Sequence, residues 1–271
     1  MMIQFGNEDI SGWARQIDTL IGQLPASIVQ RVVVVESIDS TQDAALRFAR
    51  GKHGLLIVAS EQKNGRGSFG RHWHDCDRTT LPCTFVVDPG CKDAPMLASC
   101  VACAVHEALA SMLPSSIKLG IKWPNDIVVH QGEKTRKVGG ILIEQREGLT
   151  LVGVGINCFQ SHDDWPVEFC DHAESLLGLG VSVSRVELAC RLVASLSDWF
   201  EACDQHTVRH YYNAHNSMLG TVRAFRYHNA CYSGVVTHMD PLVSVTLRTT
   251  GGMRTLPIAQ IEHIREHQPT Q

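Results

Sequence analysis

Apolar residues recur along this chain with two periods, and the change from one period to the other predicts its elements. Over residues 10–24 the spacing is helical, and Pro25 ends it. Residues 31–37 are β-branched and predict a strand. Asp39 or Ser40 stands where a helix cap is expected, for a helix reaching about Arg50 with Gly51 and Gly54 beyond it. A second strand is expected over 55–60. Residues 61–82 follow neither period and predict a long loop, a kind of segment that usually carries function. A strand over 83–88 closes at Pro89-Gly90. Met96, Leu97, Cys100, Val101, Ala104, Val105, Ala108 and Leu109 then repeat at helical spacing and predict a helix over 95–113. Strands follow over 117–122, 126–130, 138–145 and 149–157, the last three as a meander. A helical region starts at Leu188, breaks near Gln205 and resumes to about Asn216.

From Leu219 the pattern turns to short strands, over 221–227, 232–239, 242–249 and 260–265. Turns at His228-Asn229, Asp240-Pro241 and Gly251-Gly252 separate them. The expected organisation is an N-terminal extension over 1–30, a main domain over 31–217 and a small β domain over 218–271. The first 30 residues hold one short helix, too little for a winged-helix DNA-binding domain.

Composition narrows the classes. Hydrophobic residues make up 44% and charged residues 19%, which supplies a core and argues against disorder. The formal charge of -4 comes with no polybasic arm, so a DNA-binding role is not expected. No apolar run approaches the length of a membrane helix, and residues 1–13 lack a basic segment followed by an apolar one. A cytoplasmic protein, away from membranes, is expected. Ten irregularly spaced cysteines make no disulfide framework, and Cys100-x-x-Cys103 reads as small buried thiols on a helix face.

Five segments carry candidate chemistry. The loop Gly65-Arg66-Gly67-Ser68-Phe69-Gly70-Arg71-His72-Trp73 follows a strand and Gln62. Its glycines allow close backbone approach to an anion, and Arg66 and Arg71 add charge-assisted donors. It also fits a dinucleotide fingerprint, but no helix opens after it, which excludes that reading. Lys122-Trp123-Pro124-Asn125-Asp126 places a cation beside a carboxylate, a pairing suited to a magnesium–nucleotide complex. In Lys137-Val138-Gly139-Gly140 a lysine enters a strand through two glycines, which points to a bulge or a close ligand. Gly153 and Gly155 alternate before Asn157 and leave one sheet face bare. Ser40-Thr41-Gln42 sits at a helix start, where capping alone explains a Ser-Thr pair. The alternation His72, His74, Cys76 and the pair His206, His210 read as chance and as surface histidines.

In their order these segments resemble the catalytic domain of the biotin protein ligases. The residues that carry the resemblance are DST at 39–41, GRGSFGRHW at 65–73, KWPND at 122–126, RKVGGILIE at 136–144 and GVGIN at 153–157. The C-terminal segment is similar to that family's SH3-like domain. Gln42 stands where the family usually has Asn, and Ser68 where many members have Arg. The resemblance implies an α+β fold, a mixed sheet flanked by helices in the manner of class II synthetases and biotin ligases, then a small SH3-like barrel. It implies a monofunctional ligase that joins biotin and ATP into biotinyl-5′-AMP and passes the biotinyl group to a lysine of a biotin carboxyl carrier protein. A homodimer is compatible with it.

By the same resemblance Arg66, Lys122, Asp126 and Lys137 are the catalytic candidates, with Asp126 a candidate Mg²⁺ ligand or a guide for the incoming lysine. Ser40, Thr41, Gln42, Gln62, Gly65, Gly67, Ser68, Arg71, Trp73, Trp123, Asn125, Gly139, Gly140, Gly153, Gly155 and Asn157 are, with Arg66 and Lys137, the candidates for binding biotin or its adenylate. Two readings stay beside it: a lipoate or octanoate ligase on the same fold, and a sensor that binds biotin without transferring it.

Overall fold

The computed structural model describes residues 8–75, 78–90, 92–132 and 134–264. In chain order the elements are α1 (Trp13–Ile21), β1 (Arg31–Ile38), α2 (Thr41–Ala49), β2 (Leu55–Gln62), β3 (Thr80–Val87), α3 (Ala94–Ala110), β4 (Lys118–Lys122), β5 (Asp126–Gln131), β6 (Lys134–Arg146), β7 (Leu149–Asn157), α4 (Arg185–Ala202), α5 (Gln205–Ala214), β8 (Val222–Tyr227), β9 (Ala230–Asp240), β10 (Ser244–Thr249), β11 (Gly252–Pro257) and β12 (Ile261–Ile264). β1 to β7 form one mixed sheet, β1-β2-β3-β7-β6-β5-β4, with β1 and β2 parallel and the other pairs antiparallel. β8 to β12 form a separate antiparallel sheet, β11-β10-β9-β8-β12. Among the described residues no helix is long and apolar enough to cross a membrane.

The two faces of the large sheet are covered unequally. One face carries the main core, where Leu56, Val58, Phe85, Val152, Val154 and Ile156 meet Cys100, Val101, Leu109, Leu192 and Leu196 from the helices. Trp13 and Ile17 of α1 are buried in the same core, so the N-terminal extension, from Glu8 on, belongs to this layer. Cys100 and Cys103 are buried thiols within it. On the other face, among the described residues, α2 is the helix that packs, through Ala44, Ala45 and Ala49 against Leu55, Ile57, Val86, Leu149 and Leu151. Alanine lets that helix lie close to the sheet, and its nine residues leave the ends of β6 and β7 uncovered. A third core, Met218, Phe225, Val236, Val245, Leu247 and Leu256, fills the C-terminal sheet.

The sequence pattern misplaces three boundaries. β2 runs on through Gln62 and β3 begins at Thr80, so the connection is shorter than the 61–82 loop. Thr80, Leu81 and Pro82 pair with Asn157, Ile156 and Gly155, and long-range pairing there overrides a proline that reads locally as a breaker. β6 starts at Lys134 rather than 138. β11 is a strand with no expected counterpart: its exposed Gly252, Met253, Arg254 and Thr255 show no apolar alternation.

Candidate functional site

The uncovered ends of β6 and β7 form the floor of a cleft of about 460 Å³, counted out to its open mouth. Gly140 pairs with Gly155 and Leu142 with Gly153, which places three glycines on one face. A Cβ on Gly155 would lie 2.6 Å from the Trp73 ring, and one on Gly140 would lie 2.8 Å from it. The indole therefore rests on bare backbone, which only glycine permits. Gly139, by contrast, faces the main core, where its Cβ would meet Ile156 at 2.7 Å.

A bulge decides where Lys137 points. Ile127 pairs with Gly139 but Val128 with Lys137, so Val138 is an extra residue in β6. Strand side chains alternate between faces, so in a strand without a bulge Lys137, two residues from Gly139, would share its core face. The bulge instead buries Val138 in the core beside Gly139 and leaves Lys137 on the glycine floor. There its Nζ lies 2.5 Å from Asp126 Oδ1 and 5.3 Å from the centre of the Trp73 ring. Asp126 is 4% exposed and pairs across with Gly140, on the same face.

The loop between β2 and β3 folds onto itself above this floor. Arg66 and His72 form a β-bridge, Gly67 N donates to Arg71 O at 2.7 Å, and Trp73 N donates to Gly65 O at 2.8 Å. Asp75 accepts from Gln62 N at 2.8 Å, and burial pushes its carboxyl above the usual range. Asn125 donates from one amide nitrogen to Ser68 Oγ at 2.8 Å and to Ile141 O at 2.7 Å, tying the loop to β6. Arg66 Nη2 lies 3.0 Å from Glu144 and 3.1 Å from Asp43, whose carboxylate also holds Arg146 at 2.7 Å. The Trp123–Pro124 peptide bond is cis.

The third wall is the start of α2. Thr41 donates from both its backbone N and its hydroxyl to Gln62 Oε1, at 2.8 and 2.9 Å, and accepts from Thr84 at 3.0 Å. Ser40 is the N-cap residue, yet its hydroxyl makes no capping bond. Capping therefore does not account for Ser40, whose Oγ is buried without a partner at the cleft. Gln42 Oε1, Asn125 Oδ1, Trp73 Nε1 and Arg66 Nε are likewise buried without partners among the cleft residues. Unpartnered buried atoms occur elsewhere in the fold as well, but five converge on this one cleft, and it is their convergence that suits a polar ligand. Cys83 also lines the cleft, but burial pushes its thiol up to about 12, so it is neutral and no nucleophile.

Of the residues singled out in the sequence, Ser40, Thr41, Gln42, Gln62, Arg66, Gly67, Ser68, Trp73, Asn125, Lys137, Gly140, Gly153 and Gly155 line the cleft. The others lie outside that lining. Gly65 sits behind the loop, where a Cβ would press on Gln62 at 2.5 Å. Arg71 is exposed, with its Nε on Ser68 O at 3.0 Å. Lys122 faces Asp126 across the β4–β5 pair. Trp123 is partly buried, with its ring 6.0 Å from Phe225, and packs against both the main core and the barrel core. Asn157 donates to Lys137 O at 3.1 Å and Glu174 O at 3.0 Å, holding the backbone beneath the lysine.

Sequence reasoning did not single out Asp43, Asp75 or the carboxylate of Glu144. Glu144 alternates with Gly140 and Leu142 along β6 and could have been found that way; nothing local signals the other two. Among the described residues no group of three or more His, Cys, Asp and Glu could hold a metal. Cys76 lies outside those residues. Asp126 does not fit a resident Mg²⁺ site, because its buried carboxylate is engaged by Lys137.

Comparisons with known proteins agree with this geometry. Residues 34–160 match the model of the biotin/lipoate A/B protein ligase family. The chain is 29% identical over 241 residues to a biotin–[acetyl-CoA-carboxylase] ligase of Paracoccus denitrificans, covering 82% of this chain and 96% of that protein. It is 28% identical over 246 residues to a bifunctional ligase/repressor of Bacillus spizizenii, covering 86% of this chain and 74% of that protein. The fold matches the biotin protein ligase of Aquifex aeolicus, solved with biotin and ATP. There the TM-score is 0.72 at 22% identity, over 87% of this chain and 99% of that one.

Proposed function

Because this chain belongs to the biotin protein ligase family, we propose that it activates the carboxylate of biotin with ATP and passes the biotinyl group to a lysine of a biotin carboxyl carrier protein. It is an ATP-dependent biotin–protein ligase. Free carboxylates do not acylate amines at neutral pH, because the oxide is a poor leaving group. In the first step a carboxylate oxygen attacks the α-phosphorus of ATP, the bond to pyrophosphate breaks, and biotinyl-5′-AMP forms. In the second the lysine nitrogen attacks the acyl carbon, AMP leaves with the bonding electrons, and the amine loses a proton.

The first step brings two anions together, so catalysis there is charge neutralisation and alignment. The observation that carries the reading is the face switch that turns Lys137 onto the glycine floor, where Asp126 and Trp73 fix its ammonium. Lys137 stabilises charge on the carboxylate and α-phosphate oxygens. Arg66, held from behind by Asp43 and Glu144, keeps its Nε–H for the same anions. Trp73 forms an apolar wall, and the Ser40–Gln42 turn with Gln62 takes the ring end of biotin. Mg²⁺ arrives with the phosphates of ATP, which suits an ion that prefers few protein carboxylates. The site of action is the cytoplasm, where ATP and carrier proteins meet.

Exchange of labelled pyrophosphate into ATP tests the reading without a carrier. Exchange is expected with biotin and not with lipoate or octanoate. Exchange with lipoate or octanoate in preference to biotin would replace this reading with the lipoate-type ligase.

A further inference from the structure

We infer that Glu174 is a positioning residue for the adenylation step: it anchors residues 172–174 as a short added strand that locks the bulge of β6, and so keeps Lys137 on the cleft floor. The inference rests on the reading above, in which Lys137 neutralises the reacting anions. Neither Glu174 nor its partner Arg136 lines the cleft, so their effect on the chemistry passes through the lysine. A bulge needs such a lock. Its extra residue is left out of the ladder, and a slip of one position would exchange Val138 and Lys137 between the core and the cleft. Lys137 also lies where β7 gives out. The β6–β7 ladder begins at the Gly139–Ile156 pair and β7 ends at Asn157, so no residue of β7 stands opposite the lysine.

The segment beyond β7 takes its place. Lys137 N donates to His172 O at 2.7 Å, Glu174 N donates to Lys137 O at 2.9 Å, and Lys137 forms a parallel bridge with Ala173. Asn157 Nδ2 adds a bond to Lys137 O at 3.1 Å and reaches Glu174 O at 3.0 Å. Both backbone groups of the lysine are thus held on this side. So short a strand needs an anchor of its own, and the Glu174 side chain, 8% exposed as a residue, supplies it. Its Oε2 accepts from Arg136 Nη1 at 3.0 Å, a charge-assisted bond to the residue just before the lysine. Its Oε1 accepts from Ser175 N at 3.1 Å. A Cβ on Gly178 would collide with that oxygen, so glycine there leaves the carboxylate its room. Successive strand side chains point to opposite faces, so Arg136 leaves β6 on the side away from the cleft. The ion pair ties the added strand to β6 beside Lys137 without entering the ligand's side of the sheet.

The test is a double-mutant cycle, read by biotin-dependent pyrophosphate exchange, with Glu174→Ala and Lys137→Ala made singly and together. Glu174→Ala is expected to lower the maximal exchange rate about 10- to 100-fold, with the KM for biotin within a few-fold, because misplacing a catalytic group costs rate. Glu174→Gln keeps a hydrogen bond to Arg136 and is expected to recover most of that rate. In the Lys137→Ala background Glu174→Ala should cost less than about twofold, since no lysine is left to position. An equal loss in both backgrounds overturns the inference, because a residue that only stabilises the fold does not depend on Lys137. A wild-type rate in Glu174→Ala overturns it too. Should Glu174→Ala not fold, Glu174→Asp is read in the same cycle, since the shorter arm cannot reach both Arg136 and Ser175 N. Wild type that fails to exchange with biotin at all removes the ligase reading itself. Failure of the inference alone is seen with wild-type exchange intact.

Discussion

Two arginines of this protein are held by carboxylates, and they are held in opposite ways. At the junction of α4 with the large sheet, Arg185 is 0% exposed and its donors are engaged by the protein. Nε lies 2.6 Å from Glu8, Nη1 donates to Ser60 O and Thr80 O at 2.8 and 3.1 Å, and Nη2 to Ser60 Oγ at 3.2 Å. The guanidinium also lies 5.0 Å from the Trp13 ring and 5.8 Å from that of Phe159. In the cleft, Arg66 is held by two carboxylates yet keeps an unpartnered Nε, beside four other unpartnered atoms. The difference separates purposes. A fully buried cation whose partners are complete joins elements, whereas a partly exposed one that keeps a donor back is arranged for a ligand.

Removing the guanidinium sharpens the first half of that contrast. Arg185→Leu leaves Glu8 and two carbonyls without their donor, and breaking a buried pair costs about 3–5 kcal/mol. Denaturant unfolding should show that loss, with the kcat of the remaining folded protein within a few-fold of wild type. Wild-type stability would deny Arg185 its joining role.

Lys137→Ala should do the reverse. Loss of one such donor lowers adenylation about 10²- to 10³-fold. Pyrophosphate exchange measures it, and thermal unfolding checks that the fold survives. A near-wild-type rate would remove Lys137 from the chemistry.

His106 supplies a pH test away from the cleft. Burial, with His215 beside it, lowers its pKa from 6.5 to about 4, and its Nδ1 lies 2.9 Å from the Tyr211 hydroxyl. The folded state therefore keeps it neutral where the unfolded chain takes up a proton. Its contribution is complete above pH 6.5 and is lost as the pH falls toward 4, by at most about 3 kcal/mol. Unfolding free energies at pH 7, 5.5 and 4.5 should fall less steeply in His106→Gln than in wild type. Parallel slopes would contradict the assignment.

The smallest expected effect is at the floor. Gly155→Ala pushes against the Trp73 ring at 2.6 Å and tilts it into the cleft. The KM for biotin should rise about tenfold, equivalent to about 1.4 kcal/mol, while stability changes little. An unchanged KM would show that the ring does not bound the ligand.

Much of this was legible in the chain because the signals are local. Strand and helix periods place α3 and the β5–β7 meander, and the glycines at 140, 153 and 155 announce a bare sheet face. What was not legible depends on long-range pairing. The face of Lys137 follows from one extra residue opposite β5, and Gly139 and Gly140 look alike until that bulge assigns them to opposite sides. Trp123 sits within a motif full of ligand-like residues, and that its ring also packs against the barrel core follows from a contact far along the chain. Asp43 and Asp75 act through partners 23 and 13 residues away, which no periodicity reports. The unpartnered Ser40 hydroxyl is hidden too, because its sequence context explains it as a cap.

Transfer is the step that separates a ligase from a protein that merely holds biotin. Purified protein, ATP and biotin should be incubated with a biotin carboxyl carrier domain, and the carrier weighed and sequenced by mass spectrometry. The account predicts one biotinyl group on a single lysine with the wild type, and a rate lower by about 10²- to 10³-fold with Lys137→Ala. Biotin-dependent exchange without any modified carrier lysine would contradict it and favour a sensor that makes or holds the adenylate without passing it on.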